Sequence, residues 1–313
     1  MRNIFVNEVH RLMKEQEDIV FLTAECGFNV VEPIQENFPE RFYNTGIAEQ
    51  SLVGTAAGVA LRGFKPIAYT MSMFLTMRAY EQIRVDVAYQ KLPVLLAGVI
   101  PGLGYGNSGP THHAIEDAAI MRVLPNMTVV YPSCEVDVRA AARQALALGS
   151  PCYIGLGRAP VGYEPPYGED AFRIGKAYQL RDGNDAAIIA YGATVPNAVR
   201  AAKILEGNYG IHARVINMHT IKPLDTEIVK RAAAECELII TVEEENIIGG
   251  LGSAVAEYLA ESRVTSCEFH RMGIPDTYGS FFGTQSYLQH QFGIDAEGIV
   301  SQVVNRLCFK QGE

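Results

Sequence analysis

The chain has 313 residues, 48% hydrophobic and 19% charged, with a formal net charge of −9, enough for two ordinary domains. That acidic balance, with Lys and Arg forming no cluster, excludes a nucleic-acid surface, and apolar runs such as PVLLAGVIPG from Pro93 are too short to span a bilayer. Cys26, Cys134, Cys152, Cys236, Cys267 and Cys308 include no CxxC pair and the N-terminus reads as no signal peptide, so unpaired thiols and a cytoplasmic location are expected.

An amphipathic helix is predicted over 1–17, with Ile4, Val9, Leu12 and Met13 apolar. A strand at 19–23 and a second at 42–45 follow. Gly46 then turns the chain into a helix from about Ala48, rich in small residues. The alternation continues with strand 66–70, helix 74–90 and strand 93–100. A glycine-rich stretch, PGLGYGNSGPTHH, covers 101–113. After it come a helix from Ala114, strand 128–131, helix 135–148 and strand 153–156. Such alternation predicts an α/β fold with a doubly wound, mostly parallel sheet. Prolines and glycines crowd 157–185, which marks a boundary. Beyond it the pattern restarts: strand 186–191, helix 195–206, strand 211–217, helix 225–235, strand 237–243, a helix from about 250 and strand 264–269. Helices at 284–291 and 295–307 close the chain. Two doubly wound α/β domains are therefore expected, at 1–165 and 186–313, with 166–185 as linker.

Glu49 falls in the first turn of a helix, at the carboxyl edge of the predicted sheet, where open α/β folds bind ligands. An acid there also simply complements the helix dipole. The loop GNSGPTHH at 106–113 leads into a helix, an arrangement suited to an anion or substrate, or to a plain connection. The pair His112-His113, followed by Glu116-Asp117, is the less usual feature. Arg158 in GLGRAP ends a strand at the same edge and suits bidentate phosphate recognition or a solvated boundary position. Met71, Met73 and Met77 read as core. GGLGS at 249–253 lacks the lysine of a Walker motif and reads as tight helix–sheet packing. There is no GxSxG, and the seven histidines lack metal-ligand spacing.

Taken together, GIAEQ, FLTMRAYEQIR, SGPTHHAIEDAAIMR, YPSCEVD and GLGRAP resemble, in order, the C-terminal half of a transketolase: a pyrimidine-binding domain followed by the transketolase C-terminal domain. The resemblance implies thiamine diphosphate as cofactor. It assigns Glu49 to the aminopyrimidine ring, with Phe74 packing on that ring and Ile47 and Arg78 beside it. His112 is placed at the reacting centre, with Ser108, His113, Ile100 and Arg158 contacting substrate and Arg158 taking its phosphate. A carboxyl group hydrogen-bonded to a pyrimidine nitrogen promotes the amino–imino shift that activates the cofactor, which calls for a glutamate held away from water.

Full-length relatives carry a GDG motif, followed further on by an asparagine, that grips metal and diphosphate. No such motif occurs here. The resemblance thus implies a separate N-terminal partner subunit holding Mg²⁺ (or Ca²⁺ or Mn²⁺), in an α2β2 heterotetramer of which this chain is the β subunit. Two departures bear on the sugar. A family histidine falls in Val99-Ile100-Pro101, and the acid usual before GPTH is Ser108. Both imply a methyl-bearing, less hydroxylated or modified sugar substrate. Two other readings stay open: a decarboxylating thiamine enzyme using a 2-oxo acid, like deoxyxylulose-phosphate synthase or a 2-oxo acid dehydrogenase β subunit, and a non-catalytic subunit.

Overall fold

The computed structural model describes residues 1–158, 163–263 and 267–308. Residues 159–162, the first two of which complete GLGRAP after Arg158, and 264–266, where the last strand is predicted to begin, lie outside the described residues.

Two sheets organise the chain. The first contains β1 (Ile19–Thr23), β2 (Phe42–Asn44), β3 (Lys65–Met71), β4 (Leu95–Val99), β5 (Thr128–Val130) and β6 (Cys152–Leu156), all parallel, in the order β5-β6-β4-β3-β1-β2. The second is built from β7 (Tyr178–Arg181), β8 (Ala186–Ala190) and β9 (Ala213–Asn217). After β10 (Thr220–Lys222) it resumes with β11 (Leu238–Asn246) and β12 (Glu268–Ile274). Its order is β12-β11-β8-β9-β7, parallel except for β7. Strand β10 crosses over: it pairs antiparallel with β5 of the first sheet, Thr220 opposite Val130. The expected pair of mostly parallel sheets is thus what forms.

The strands explain the layering. IVFLT in β1, LLAGV in β4 and AAIIA in β8 are buried at every position, the pattern of strands covered on both faces. One apolar layer runs from Val20, Leu52 and Leu96 through Tyr131 and Tyr153 to Ile189, Ile216 and Ile239, so both sheets share a core. Each fully buried Leu or Ile there contributes roughly 1.5–3 kcal/mol. Gly155 is needed for this continuity, because a Cβ on it would lie 2.3 Å from the Tyr131 ring.

Three elements differ from the sequence reading. Residues 74–90 do not form one regular α-helix: Phe74–Arg78 and Ile83–Ala88 are wound as π-helix around a short α segment, Tyr80–Gln82. Such wider turns are frequent at functional sites. The helix expected from Ala114 begins at Asp117, because Ala114 bridges back to Gly102. Within 166–185, read as linker, lie a helical turn, Glu169–Ala171, and strand β7. All four β7 residues are half-buried, which is why no apolar alternation marks it.

Candidate active site

The site begins at the end of β2. Asn44 Oδ1 accepts the backbone N–H of Gly46 at 3.0 Å, and Gly46 adopts φ +69°, a region glycine enters without steric cost. This turn delivers Glu49 as the first residue of the helix Glu49–Leu61, with its side chain only 4% exposed. Ile47, just before it, is 77% exposed.

Across from Glu49 stands the π-wound segment. Arg78 Nη1 donates to Glu49 Oε2 at 3.4 Å, while the Arg78 side chain remains 52% exposed. Its guanidinium lies 4.1 Å above the Phe74 ring, a cation–π contact. Phe74 in turn meets His112 edge to face, centroids 5.6 Å apart. Four sequence-selected residues therefore form one chain of contacts: Glu49, Arg78, Phe74 and His112.

His112 rides on a closed loop. Gly102 and Ala114 exchange backbone hydrogen bonds of 2.8 and 3.0 Å at its neck, and Gly109, at φ +75°, turns its tip. Thr111 Oγ1 lies 3.0 Å from His112 Nδ1. His113 points inward and is 5% exposed, with no hydrogen-bond partner for Nε2. Burial pushes its pKa down, so it is the neutral packing histidine behind the half-buried His112. Ser108 is exposed on the loop.

Ile100 is placed differently from the reading that gave it a substrate contact. It is 2% exposed in the core, at φ +59°, and its Cγ2 fills the space where Gly104 would carry a Cβ. It shapes the base of the loop and presents no open surface.

Arg158, two residues past β6, lines a cleft of about 480 Å³ whose other walls include Gly104 and Asn107 of the loop and Asn197, Gln285 and Gln289 of the second half. Tyr105 joins the two regions: its ring lies 6.1 Å from His112, and the positive charge of Arg158 acts against the burial that raises its pKa. Tyr105 was not singled out from sequence, since a lone tyrosine in a glycine loop carries no distinguishing pattern.

Also unread were the three acids ending β11, although EEEN in an apolar strand is a visible anomaly. Glu243 accepts the backbone N–H groups of Leu251 and Gly252 at 2.7 and 2.8 Å, and burial raises its pKa to about 7. Glu245 accepts the Ala119 N–H at 2.9 Å and faces Asp117, whose Oδ2 accepts the Tyr153 hydroxyl at 2.5 Å. Burial raises both carboxyl groups, Asp117 to about 6; two acids this close and dry retain a proton between them. Among the described residues, no group of three or more His, Cys, Asp or Glu is arranged to hold a metal ion.

A buried acid at a helix start, a half-buried aromatic ring under a guanidinium and a histidine on a closed loop lie together here, and comparison with known proteins gives the family. Residues 1–162 match the family model of the transketolase pyrimidine binding domain and residues 175–299 that of the transketolase C-terminal domain. The chain is 38% identical to the putative transketolase C-terminal section of Methanocaldococcus jannaschii, over 98% of this chain and 96% of that one. It is 37% identical to the 6-deoxy-6-sulfo-D-fructose transketolase subunit SqwH of Clostridium sp. (strain MSTE9), over 96% of this chain and 92% of that subunit. With 1-deoxy-D-xylulose-5-phosphate synthase 1 of Geobacter sulfurreducens identity is 40% over 95% of this chain, which spans 46% of that enzyme. A solved split-gene transketolase, an inactive β4 tetramer, superimposes with TM-score 0.89 at 38% identity, covering 99% of each chain. The chain belongs to the transketolase family. Within it, the chain carries the pyrimidine-binding and C-terminal domains and resembles C-terminal sections of split transketolases over nearly its whole length, a transferase of the transketolase type.

The residues present suit the family's cofactor. An aminopyrimidine needs one shielded carboxylate and apolar surface, and Glu49, Phe74 and Ile47 supply these.

Proposed function

We propose that this chain supplies the aminopyrimidine half of a thiamine diphosphate site and, with its N-terminal partner, transfers a two-carbon ketol unit from a ketose to an aldehyde. The observation that carries this reading is the near-complete burial of Glu49 beside Arg78, Phe74 and His112. When bound, thiamine diphosphate supplies the electron sink for the transferred unit. Glu49 Oε2 is engaged by Arg78, which leaves Oε1 to share a proton with a pyrimidine nitrogen. Phe74 and Ile47 cover the ring and keep water from that proton, while Arg78 fixes both Glu49 and Phe74. Thr111 holds His112 Nδ1, so Nε2 is the nitrogen that moves a proton to or from a substrate hydroxyl. Ser108 contacts substrate from the loop, with His113 packing behind it, and Arg158 takes a terminal anion in the cleft.

The partner holds Mg²⁺ or a similar ion with the diphosphate, in an α2β2 assembly located in the cytoplasm. All six cysteines are free, in keeping with that compartment. No helix among the described residues is long and apolar enough to cross a membrane. The domain division at 1–165 and 186–313 is part of this proposal; the family models meet it at 162 and 175, and β7, within 166–185, pairs with the second sheet. The substrate is a modified or less hydroxylated sugar, a choice that rests on Ser108 standing where an acid is usual. A subunit acting on a sulfo-sugar among the relatives supports this choice.

A second reading, decarboxylating transfer from a 2-oxo acid, is favoured by the likeness to the deoxyxylulose-phosphate synthase. Calorimetric titration of thiamine diphosphate and Mg²⁺ into the chain alone, then into the complex with its partner, tests the site. Binding only in the complex is expected. Tight binding to the lone chain would refute the shared site, and no binding in either would favour a non-catalytic subunit. A donor screen of the complex then separates the chemistries, since only a 2-oxo acid donor releases CO₂.

A further inference from the structure

Glu244 lies on β11 of the second sheet, buried and within reach of the loop that carries His112. Its Oε2 accepts the backbone N–H of Leu103 at 3.2 Å, one residue inside the Gly102–Ala114 neck. Gln285 Nε2 donates to both carboxylate oxygens, at 2.9 and 2.7 Å, and Gln289 Nε2 donates to Oε1 at 2.5 Å. Gln289 is itself held, its Oε1 accepting Asn197 Nδ2 at 3.0 Å. Every contact made to Glu244 is donated, as suits an acceptor-only carboxylate, and these bonds work against the burial that raises its pKa. The fit at the neck is close: a Cβ on Gly102, at φ +62°, would lie 2.5 Å from Glu244 Oε2. Two further bonds run from the same strand to the chain beyond the loop, Ala119 N–H to Glu245 and Asn246 N–H to Ile115 O at 2.8 Å. At the far side, Gly283 N–H reaches Gly106 O at 3.4 Å.

We propose that Glu244 is a positioning residue for the transfer reaction: from the C-terminal domain it fixes the neck of the 102–114 loop, through Leu103, and with it the place of His112 and of the loop wall of the Arg158 cleft. This rests on the reading of 106–113 as the substrate loop. The physical case is that, among the described residues, Glu244 is the acceptor for Leu103 N–H, and a buried amide left without one is costly, which loosens the loop. Gln285 and Gln289 line the cleft while donating to the same carboxylate, so one group sets both walls. A loop displaced by about 1 Å costs on the order of a hundredfold in rate.

The test uses the full chain with its N-terminal partner, comparing wild type with Glu244→Gln and Glu244→Ala. Hydrogen–deuterium exchange over 102–114 reads the loop, and turnover reads the chemistry. Glu244→Ala is expected to speed exchange in that segment at least tenfold, with β8 and β9 unchanged. It should lower kcat about thirty- to a hundredfold with thiamine diphosphate affinity retained. Glu244→Gln keeps one acceptor oxygen for Leu103 and should recover part of both losses. Should Glu244→Ala compromise the fold, Gln285→Leu, which removes only one donor, should give a smaller change in the same two readouts. Unchanged exchange over 102–114 overturns the proposal whatever the rate does. Faster exchange with kcat intact leaves the clamp standing and refutes the reading of 106–113 as the substrate loop.

Discussion

Replacing Glu49 by Gln separates chemistry from architecture. The side chain is 4% exposed and its one ion pair, with Arg78 at 3.4 Å, involves a guanidinium that is half in solvent and stacked on Phe74. Losing that pair leaves Arg78 hydrated and still supported by the ring, so the stability cost is that of an exposed salt bridge, about 1 kcal/mol or less. Glutamine is isosteric and can keep the contact to Arg78 through its carbonyl. It cannot share a proton with a pyrimidine nitrogen. Groups in that role contribute about 10²–10⁴ in rate, roughly 2.7–5.4 kcal/mol of barrier at 1.36 kcal/mol per tenfold. The catalytic effect therefore exceeds the structural one severalfold. Steady-state turnover of the complex with saturating thiamine diphosphate, beside thermal melts and sizing of the same samples, reads both. A kcat within threefold of wild type would refute the role assigned to Glu49, as would a loss that tracks failed assembly.

Arg158→Leu should raise KM for an anionic ketose about ten- to a hundredfold, the range expected for losing a charge-assisted hydrogen bond. KM for an uncharged ketose should stay within about twofold, and equal effects on both would remove the anion role. His219 is buried, stacked on Phe172 at 4.1 Å, with its pKa lowered to about 4 by burial. A base whose folded pKa is depressed contributes stability above its unfolded pKa of about 6.5 and loses it as pH falls towards 4. Chemical denaturation from pH 7 to pH 4 should therefore show a steeper loss for wild type than for His219→Phe. The difference should reach about 3 kcal/mol at pH 4, and parallel curves would show that His219 is not the group responsible.

The candidate site residues were legible wherever a local pattern marks their position. Glu49 sits at a turn-to-helix junction that Asn44 and Gly46 announce, and the His112 loop is marked by its glycines. The α/β alternation gave both sheets because β1, β4 and β8 are continuous apolar runs. Features made by tertiary contact were not legible. Strands β7 and β10 are edge strands of four and three residues, too short and too polar to show a period. The apolar spacing in 74–90 predicts a helix but not its wider turns, since Phe74, Met77 and Tyr80 fit either. Ile100 illustrates the converse error: a position inferred from a neighbouring motif lies under the loop. Tyr105 and Glu244 meet partners 7 and 141 residues away, and no local pattern encodes such distances.

The seating of β10 on β5 has a consequence for how the polypeptide emerges from the ribosome. Until Thr220–Lys222 has been made, β5 is a bare sheet margin with unpaired amides and carbonyls. Such a margin is adhesive towards other strands. A fragment cut at 185 would carry every other strand of its sheet and still lack this cover. The first module is thus finished by a piece borrowed from the second, so its outer margin is covered only once the chain has been made past Lys222.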